Sequence, residues 1–299
     1  LLETIQADQG ITYAPQQREA VAMAAERQVM LLTGGPGTGK TTCLRGVLAL
    51  FDALGLETAL AAPTGRAAKR LGEACGTEAA TIHRLLETQF DQHTGQLIFA
   101  HDEDEPLSAD AVIVDETSMV DVPLMRALLA ALRNDCRLIL VGDPDQLPSV
   151  GPGNLLSDLI RSGKVPTVRL TEIFRQAAES AIVMNAHRVD RGELPDLANR
   201  QSDFFFLRRR DPVRTAETIV ELVQTRLPEN MGIPADQIQV LSPTRKHHSG
   251  TLSLNQRLQE ALNPAQPGKG ERRFGPYLFR QGDRVMQVKN NYDIMWKDR

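Results

Sequence analysis

One nine-residue segment constrains the fold of this chain more than any other part of its sequence. Residues 34–42 read Gly-Gly-Pro-Gly-Thr-Gly-Lys-Thr-Thr, which fills every fixed position of a G-x-x-x-x-G-K-[ST] phosphate loop. An apolar run, Val29–Leu32, precedes the loop, and a helix-like stretch, residues 41–54, follows it. A strand and a helix N-terminus are the flanks that the motif requires. The pattern predicts nucleoside triphosphate binding rather than a Gly-rich turn without a ligand.

The residue types of the loop fit phosphate chemistry. Its glycines let backbone N–H groups converge on phosphate oxygens, and the helix N-terminus adds the positive end of its dipole. Lys40 is expected to face solvent in the empty site and to reach the β- and γ-phosphates of a bound nucleotide, and Thr41 is expected to ligate Mg²⁺. The nucleotide-binding residues predicted in the loop are Gly35, Pro36, Gly37, Thr38, Gly39, Lys40, Thr41 and Thr42.

Length and composition bound the class of protein. A chain of 299 residues, 41% of them hydrophobic, is long enough for about two domains. No apolar run approaches the ~18 residues of a membrane span, and the first residues resemble the interior of a longer protein. The three cysteines lack metal-ligand spacing, and we expect them to pack as small buried apolar groups in a reducing compartment. We therefore predict a cytoplasmic protein without a membrane partner.

Strand-like and helix-like segments alternate along the chain, which predicts an α/β fold with a parallel sheet flanked by helices. Asp121 suits a helix N-cap and Pro123 suits a first turn. Residues 263–275 are rich in Pro and Gly and predict an exposed loop. The predicted strands are 29–33, 57–62, 111–115, 137–141, 167–170, 204–207 and 238–242, and the predicted helices include 41–54, 65–74, 121–132, 179–191, 212–227 and 250–262.

Two of these strands end in polar residues suited to phosphoryl transfer. The strand at 111–115 ends in Asp115 and Glu116, beside the position expected for the phosphate loop. Asp115 can hold Mg²⁺, and Glu116 can orient and deprotonate the attacking water. The next strand leads into Gly142-Asp143-Pro144-Asp145-Gln146, where the Gln146 amide could bond both the γ-phosphoryl group and the water. Taken singly, this last segment could also be an ordinary Gly-Asp-Pro turn.

These segments together resemble the motifs of the superfamily I helicases. The resemblance implies that Gln17 reads the adenine edge, that Phe174 packs near the base, and that Arg175 acts as an arginine finger. The matching segments are 17–21 (QREAV), 62–68 (APTGRAA), 81–84 (TIHR), 115–116 (DE), 142–146 (GDPDQ) and 170–176 (LTEIFRQ).

Within that superfamily the chain looks most like the RecD-type branch, because of residues 240–246 (VLSPTRK), 254–264 and 282–292. The resemblance covers residues 12–292. It implies two RecA-like P-loop motor domains, at residues 1–175 and 176–299, the second incomplete at its C-terminal end because the last two family motifs are not reached. It also implies an ATP-dependent DNA helicase that moves 5′ to 3′ on single-stranded DNA, in DNA recombination or repair. ATP and Mg²⁺ are the implied cofactors.

DNA contacts are expected from side chains that bond phosphates without reading bases. The candidates are Thr64, Arg66, His83, Thr244, Arg245 and Lys246. Each could instead be a capping or surface residue, and His83 could simply bond a backbone carbonyl. The expected partners are single-stranded DNA, duplex junctions and other subunits of a DNA-processing complex. Two functional alternatives stay open: a nucleotide-dependent DNA-binding switch, and a non-translocating subunit of a nuclease–helicase assembly.

The segment between His83 and Asp110 is too long for a simple helix-to-strand connection. Within it, apolar residues at 89–99 flank a turn-like His-Thr-Gly at 93–95, which predicts a β-hairpin inserted at about residues 88–106. A surface loop is the alternative. In RecD-like helicases a small hairpin at this place acts as a pin where the duplex splits, so the resemblance implies the same role here.

Overall fold

A computed structural model of the chain describes residues 1–90, 97–198 and 203–286. The chain divides into two compact units, Leu1–Phe206 and Leu207–Arg299. The predicted boundary between two motor domains falls earlier, after Arg175. The boundary after Arg175 stays a prediction.

The regular elements are numbered in chain order. In the described residues the strands are β1 (Val29–Gly34), β2 (Thr58–Ala62), β3 (Ala79–Thr81), β4 (Thr88–Phe90), β5 (Leu97–Phe99), β6 (Ala111–Val114), β7 (Arg137–Gly142), β8 (Thr167–Leu170), β9 (Glu271–Phe274) and β10 (Tyr277–Arg280). The α-helices there are α1 (Leu2–Gln9), α2 (Pro15–Glu26), α3 (Lys40–Ala53), α4 (Gly65–Cys75), α5 (Ile82–Leu85), α6 (Val122–Ala130), α7 (Leu155–Ser162), α8 (Arg175–Ala178), α9 (Ala181–Asp190), α10 (Pro212–Glu221), α11 (Leu227–Met231) and α12 (Thr251–Leu262).

A six-stranded parallel sheet organises the first unit, in the order β3-β2-β6-β7-β1-β8. Its central strands are mostly apolar, because helices cover both faces of a parallel sheet. Leu32 contributes to a core cluster with α2 and α3 on one face, while its neighbour Leu31 contributes to a cluster with α6 on the other. The predicted α/β fold with a parallel sheet is therefore confirmed, and so is the N-cap of α6: the Leu124 N–H donates to Asp121 Oδ1 at 2.8 Å.

Phe51 is a fully buried side chain of α3, the helix that follows the phosphate loop. It belongs to the core cluster formed with α2 on that face of the sheet. We expect Phe51→Ala to lower the free energy of unfolding by about 3–5 kcal/mol, because the change removes buried apolar contacts and leaves a cavity. Leu54→Ala, just beyond the same helix, is the matched control, since that side chain is exposed. Urea unfolding of the full chain measures both, and equal losses would contradict the position of Phe51 in the core.

An antiparallel hairpin follows α5 in the first unit. β4 pairs with β5 in a register that sets Thr88 opposite Phe99 and Gln89 opposite Ile98. The predicted hairpin is confirmed in its strand pairing, while the predicted turn at residues 93–95 lies outside the described residues. Its base contacts α5, because the Thr88 hydroxyl donates to the His83 carbonyl at 2.6 Å and the His83 and Phe99 rings lie 6.1 Å apart.

The second unit departs from the sequence-based expectations. The helix predicted at 212–227 begins as α10 and continues through a π-helical turn, Leu222–Arg226, into α11. The strands predicted at 204–207 and 238–242 are wrong, because neither segment forms a regular strand. Conversely, the loop predicted at 263–275 contains β9, paired antiparallel with β10 around Gly275. Residues 207–286 contain no parallel strand pair, so a second RecA-like sheet stays a prediction.

None of the helices in the described ranges has the length and apolar character needed to cross a bilayer.

Candidate nucleotide-binding site

The carboxyl ends of three neighbouring strands bring the predicted catalytic residues to one edge of the sheet. β6, β7 and β1 lie side by side. Asp115 and Glu116 follow β6, Gln146 lies in the loop after β7, and the phosphate loop follows β1. The prediction that the strand leading to Gln146 borders the Asp115 strand is confirmed. Parallel α/β sheets bind ligands at this edge.

The phosphate loop turns sharply between β1 and α3. Gly37 and Gly39 adopt left-handed backbone conformations, with φ of 74° and 79°, which side chains disfavour. The Thr38 hydroxyl donates to the Gly35 carbonyl at 2.8 Å and closes the loop. Thr41 and Thr42 stand in the first turn of α3, with Thr41 exposed to solvent. The loop therefore has the strand–turn–helix form that the motif predicts.

Lys40 is half-buried rather than solvent-facing, which corrects the expectation for this side chain. Its ammonium group donates to the Gly34 carbonyl at 2.6 Å and to the Gly35 carbonyl at 3.1 Å. An ammonium group has three donors and no acceptor, so nearby carbonyls are its natural partners. These bonds hold the positive charge at the loop itself, where phosphate oxygens would bind.

A cavity of about 650 Å³ opens on this loop. Its volume lies within the usual range for small-molecule sites. The cavity suits a nucleotide phosphate chain, because a lysine, a helix N-terminus and backbone N–H groups converge on it. Its lining residues are Gly35, Gly37, Thr38, Gly39, Lys40, Thr41, Thr42, Phe174 and Ala177.

Asp115 and Glu116 form a strained, poorly solvated pair of acids. Glu116 has a left-handed φ of 53°, which is uncommon for a residue with a side chain and is found most often at functional sites. Its N–H donates to Asp115 Oδ1 at 2.8 Å. Burial raises the pKa of Asp115, and the Glu116 N–H and Lys40 lower it only in part. Burial and then the Asp115 charge raise the pKa of Glu116.

These electrostatics fit a divalent cation. The raised pKa of the buried Asp115 carboxyl indicates that its surroundings supply too little positive charge to stabilise the ionised form. A bound cation would supply that charge. No group of three or more acidic, His or Cys side chains able to hold a metal occurs in the described parts of the chain. Thr41 and Asp115 would supply two oxygen ligands, a number typical of Mg²⁺ sites that phosphates and water complete.

Gln146 is exposed at the end of its loop, where its amide can reach solvent or a ligand. Its Nε2 lies 3.5 Å from Asp143 Oδ2, and its backbone N–H donates to the Asp143 carbonyl at 3.3 Å. Asp143 itself is buried and also accepts from the Asp145 N–H. Asp143 therefore shapes the turn that presents Gln146.

The two residues predicted to contact the base differ in availability. Gln17 is buried: its Oε1 accepts from the Ala14 N–H at 3.0 Å, and its Nε2 donates to the Gly39 carbonyl at 3.3 Å. Gln17 thus supports the phosphate loop, and contact with adenine requires it to exchange these bonds. Phe174 lines the cavity, and its N–H donates to the Gly37 carbonyl at 3.4 Å.

Arg175, the predicted arginine finger, begins α8 directly after Phe174, but its side chain lies outside the described part of the structure. Ala177 of α8 and His187 of α9 also approach the phosphate loop, and sequence reasoning missed both. His187 Nε2 lies 2.9 Å from the Pro36 carbonyl, across 151 residues of sequence. One histidine in a helix carries no motif, so nothing local in the sequence signalled this contact.

Three of the predicted DNA contacts occur in the first unit, where two follow neighbouring strands. The Thr64 hydroxyl caps α4 by accepting from the Ala67 N–H at 3.2 Å, so the capping alternative describes its observed role. Arg66 is exposed in the first turn of α4. His83 is exposed on α5, against the hairpin strand β5. Thr64 and His83 follow β2 and β3, which are paired.

The other three candidates form an exposed turn of the second unit. The Thr244 hydroxyl donates to the Lys246 carbonyl at 3.3 Å, and Lys246 is exposed. Arg245 Nη2 donates to Tyr277 Oη of β10 at 3.4 Å. The turn is therefore tied to the β9–β10 hairpin and presents two cations to solvent.

Two sequence profiles match the chain. Residues 12–218, more than half of the chain, match the AAA domain, and residues 254–295 match the ATP-dependent RecD-like DNA helicase SH3 domain. The chain belongs to the RecD-like helicase family. The SH3 match includes β9 and β10, so part of the predicted second motor domain of this RecD-like chain resembles an SH3 domain.

Relatives of known name support the assignment to the RecD-like family. The chain is 40% identical over 278 residues to the ATP-dependent RecD2 DNA helicase of Deinococcus radiodurans, a match that covers 93% of the chain and 36% of that protein. It is 34% identical over 284 residues to the RecBCD enzyme subunit RecD of Mycobacterium tuberculosis, covering 83% of the chain and 48% of that protein. The chain thus spans less than half the length of either relative.

A solved structure, the Pif1 helicase from Candida albicans, aligns at 22% sequence identity with a TM-score of 0.47, over 74% of this chain and 50% of that one.

Proposed function

We propose that the chain is the ATP-hydrolysing part of a DNA helicase that moves 5′ to 3′ on single-stranded DNA. One observation carries the proposal: Lys40, Asp115, Glu116 and Gln146 follow three adjacent strands at one edge of the sheet, where Lys40 also lines a cavity of about 650 Å³. A turn that binds nothing does not require a strained acid, a loop lysine and a presented amide at the same edge. Family membership adds DNA as the polymer along which ATP hydrolysis would drive movement.

The reaction is in-line attack of water on the γ-phosphorus, while the bond from this phosphorus to the oxygen shared with the β-phosphate breaks and ADP leaves. The Glu116 carboxylate accepts the proton of the attacking water, and its raised pKa improves the match to that task. Lys40 leaves the loop carbonyls and bonds β- and γ-phosphate oxygens, while the Gln146 amide orients the water. Thr41 and Asp115 would hold Mg²⁺, which when bound neutralises charge on the phosphate oxygens. Arg175 would complete the stabilisation of the developing charge.

Movement along DNA requires that hydrolysis change the grip on the strand. Thr64, Arg66 and His83 in one unit, and Thr244, Arg245 and Lys246 in the other, are the proposed phosphate contacts. If their affinity for DNA depends on the nucleotide state, each cycle of hydrolysis becomes a step. The same proposal implies a cytoplasmic protein, a role in recombination or repair, and contacts with duplex junctions and with other subunits of a DNA-processing complex.

A DNA-stimulated ATPase assay separates the motor from its main alternative. With the full-length protein, single-stranded DNA should raise the turnover of ATP steeply, since a motor couples hydrolysis to the strand. A nucleotide-dependent switch would bind DNA in one nucleotide state but hydrolyse at a rate that DNA leaves nearly unchanged. A non-translocating subunit would show neither response, which would contradict the proposal.

The β4–β5 hairpin is proposed as the pin that separates the strands. Its base contacts α5 through Thr88 and Phe99, close to the proposed DNA contact His83. A steric wedge need not contribute to hydrolysis. Replacing residues 90–99 of the full-length protein with a short Gly-Ser turn should therefore reduce the rate of unwinding about tenfold or more. The rate of DNA-stimulated ATP turnover should stay within about twofold of the wild-type rate, because the hairpin takes no part in the chemical step.

Both rates can be measured on the same preparation, with a forked duplex for unwinding and single-stranded DNA for ATP turnover. Ile98→Ser, which alters one exposed hairpin side chain, is the milder control and should retain part of the unwinding. Normal unwinding after the replacement would show that the hairpin is not the pin, and equal loss of both activities would indicate a structural role.

A further inference from the structure

His187 links α9 to the first residues of the phosphate loop. The Pro36 carbonyl can only accept, so His187 Nε2 at 2.9 Å is the donor, which assigns the tautomer with the proton on Nε2. The ring also lies against Gly35: an ideal Cβ at that glycine would stand 2.6 Å from His187 Cε1. Any side chain at position 35 would displace the imidazole. The loop and the ring are therefore fitted to each other.

The segment that carries His187 contacts the loop at further points. An ideal Cβ at Gly37 would lie 2.5 Å from the Ala177 Cβ and 3.3 Å from Val183 Cγ1. The Phe174 N–H donates to the Gly37 carbonyl at 3.4 Å. These neighbours supply apolar contact and one long backbone bond, whereas His187 supplies a short side-chain bond. Arg175 begins α8 and lies between Phe174 and Ala177, so the position of its backbone depends on the position of α8.

α9 is also bonded to a segment outside the phosphate loop, so the His187 bond can set the position of the helix relative to that loop. Ser180 caps α9 by accepting from the Val183 N–H at 3.2 Å. The buried Asn185 side chain donates to the Asp196 carbonyl at 3.1 Å and accepts from the Asp196 N–H at 2.7 Å. The Asn185 bonds therefore tie the middle of α9 to the segment at Asp196. His187 then supplies a side-chain hydrogen bond from this helix to the phosphate loop.

His187 also interacts electrostatically with Asp145, in the loop that presents Gln146. The pKa of Asp145 is raised by burial first and then by Asp190 of α9, while Arg169 and His187 lower it. Arg169 Nη2 also lies 3.9 Å from Asp145 Oδ2. His187 therefore bonds the phosphate loop and also acts electrostatically on Asp145, in the loop that presents Gln146.

We propose that His187 is a positioning residue for phosphoryl transfer: its Nε2–H bond to Pro36 holds α8, and with it Arg175, at a set distance from the phosphate loop. The assignment rests on the proposed ATP hydrolysis. Nucleotide affinity comes mainly from the loop, Lys40 and Thr41, whereas transfer also depends on the alignment of groups that approach from α8. Loss of the His187 bond should therefore lower kcat and leave binding nearly unchanged.

The test compares three substitutions at one position of the full-length protein. His187→Gln places an amide N–H close to the position of the lost Nε2–H, His187→Asn reaches only the position of Nδ1, and His187→Ala removes the donor. We expect Ala and Asn to lower kcat for ATP about tenfold, the scale of one lost hydrogen bond, and Gln to retain at least about half of the wild-type value. Val189→Ala, an exposed change on the same helix, is the control and should behave as wild type.

The readout that distinguishes positioning from folding is the split between kcat and binding. The Kd for Mg-ADP and the thermal unfolding temperature should stay near wild type in all variants. Unchanged kcat in His187→Ala, failure of Gln to exceed Asn, or parallel losses of ADP affinity and stability would each overturn the assignment while wild-type hydrolysis still supports the proposed function. An inactive wild-type protein would overturn both.

Discussion

Lys40→Ala should reduce ATP hydrolysis by at least about 100-fold, since the variant lacks the charge that bonds the β- and γ-phosphate oxygens as negative charge develops. Lys40 donates to the Gly34 and Gly35 carbonyls of the loop, and it does not belong to the apolar core cluster on that face of the sheet. The unfolding temperature of the full-length protein should therefore stay close to that of the wild type. Steady-state phosphate release with saturating single-stranded DNA measures the effect.

Lys69→Ala is the matched control for loss of a lysine. Lys69 is exposed on α4, and its partner Glu73 lies 3.8 Å away at the surface, where such pairs contribute little. That variant should hydrolyse ATP at the wild-type rate. Wild-type-like turnover by Lys40→Ala would contradict the assignment of the site, and a large fall in its unfolding temperature would show that Lys40 has a structural role as well.

Glu116→Gln should bind Mg-ATP and hydrolyse it about 100-fold more slowly or worse, because an amide of the same size cannot accept the proton of the attacking water. The change also removes one of the two adjacent carboxylates, so nucleotide affinity should not fall. Trapping of ATP on the protein, measured by filter binding or by fluorescence of a labelled nucleotide, separates binding from turnover. Single-turnover phosphate release then reports the chemical step itself.

Glu73→Gln, an exposed change of the same kind on α4, should leave turnover unaltered. If Glu116→Gln lost only a few-fold in hydrolysis, Glu116 would not be the base, and the Gln146 amide would be the remaining group able to position the water. Loss of ATP binding together with hydrolysis would instead indicate that the strained turn at Glu116 shapes the nucleotide site.

The sequence predicted the first unit well because local signals there agree with the global fold. The phosphate loop, the apolar strands before it and before Asp115, and the caps of α4 and α6 each depend on residues close together in the chain. Parallel strands buried on both faces also have a strong apolar pattern. The adjacency of β6 and β7 then followed from the rule that catalytic residues gather at one edge of such a sheet.

Contacts between distant segments could not be predicted in the same way. Gln17 reaches the Gly39 carbonyl and His187 reaches the Pro36 carbonyl, and neither partner has a local pattern that announces the other. Lys40 was expected to face solvent, because a motif describes ligand contacts and not the carbonyls that the ammonium group meets on the loop.

The second unit was predicted least well because its apolar runs are short and its strands depend on partners. The segments at 204–207 and 238–242 have strand-like composition, but neither forms a regular strand. β9 reads Glu-Arg-Arg-Phe, a charged sequence that composition assigns to a loop, and its pairing with β10 makes it a strand. Strand propensity describes how well a side chain fits a sheet, not whether the sheet exists.

The unwinding of tailed duplexes tests the central claim most directly. The full-length protein, with Mg-ATP, is incubated with duplexes of equal length that carry a single-stranded tail at the 5′ end, at the 3′ end or at neither. The account predicts ATP-dependent separation of the 5′-tailed duplex, little separation of the other two, and none by Lys40→Ala. DNA-stimulated hydrolysis without separation of any duplex would contradict the helicase assignment, and faster separation of the 3′-tailed duplex would contradict the proposed direction.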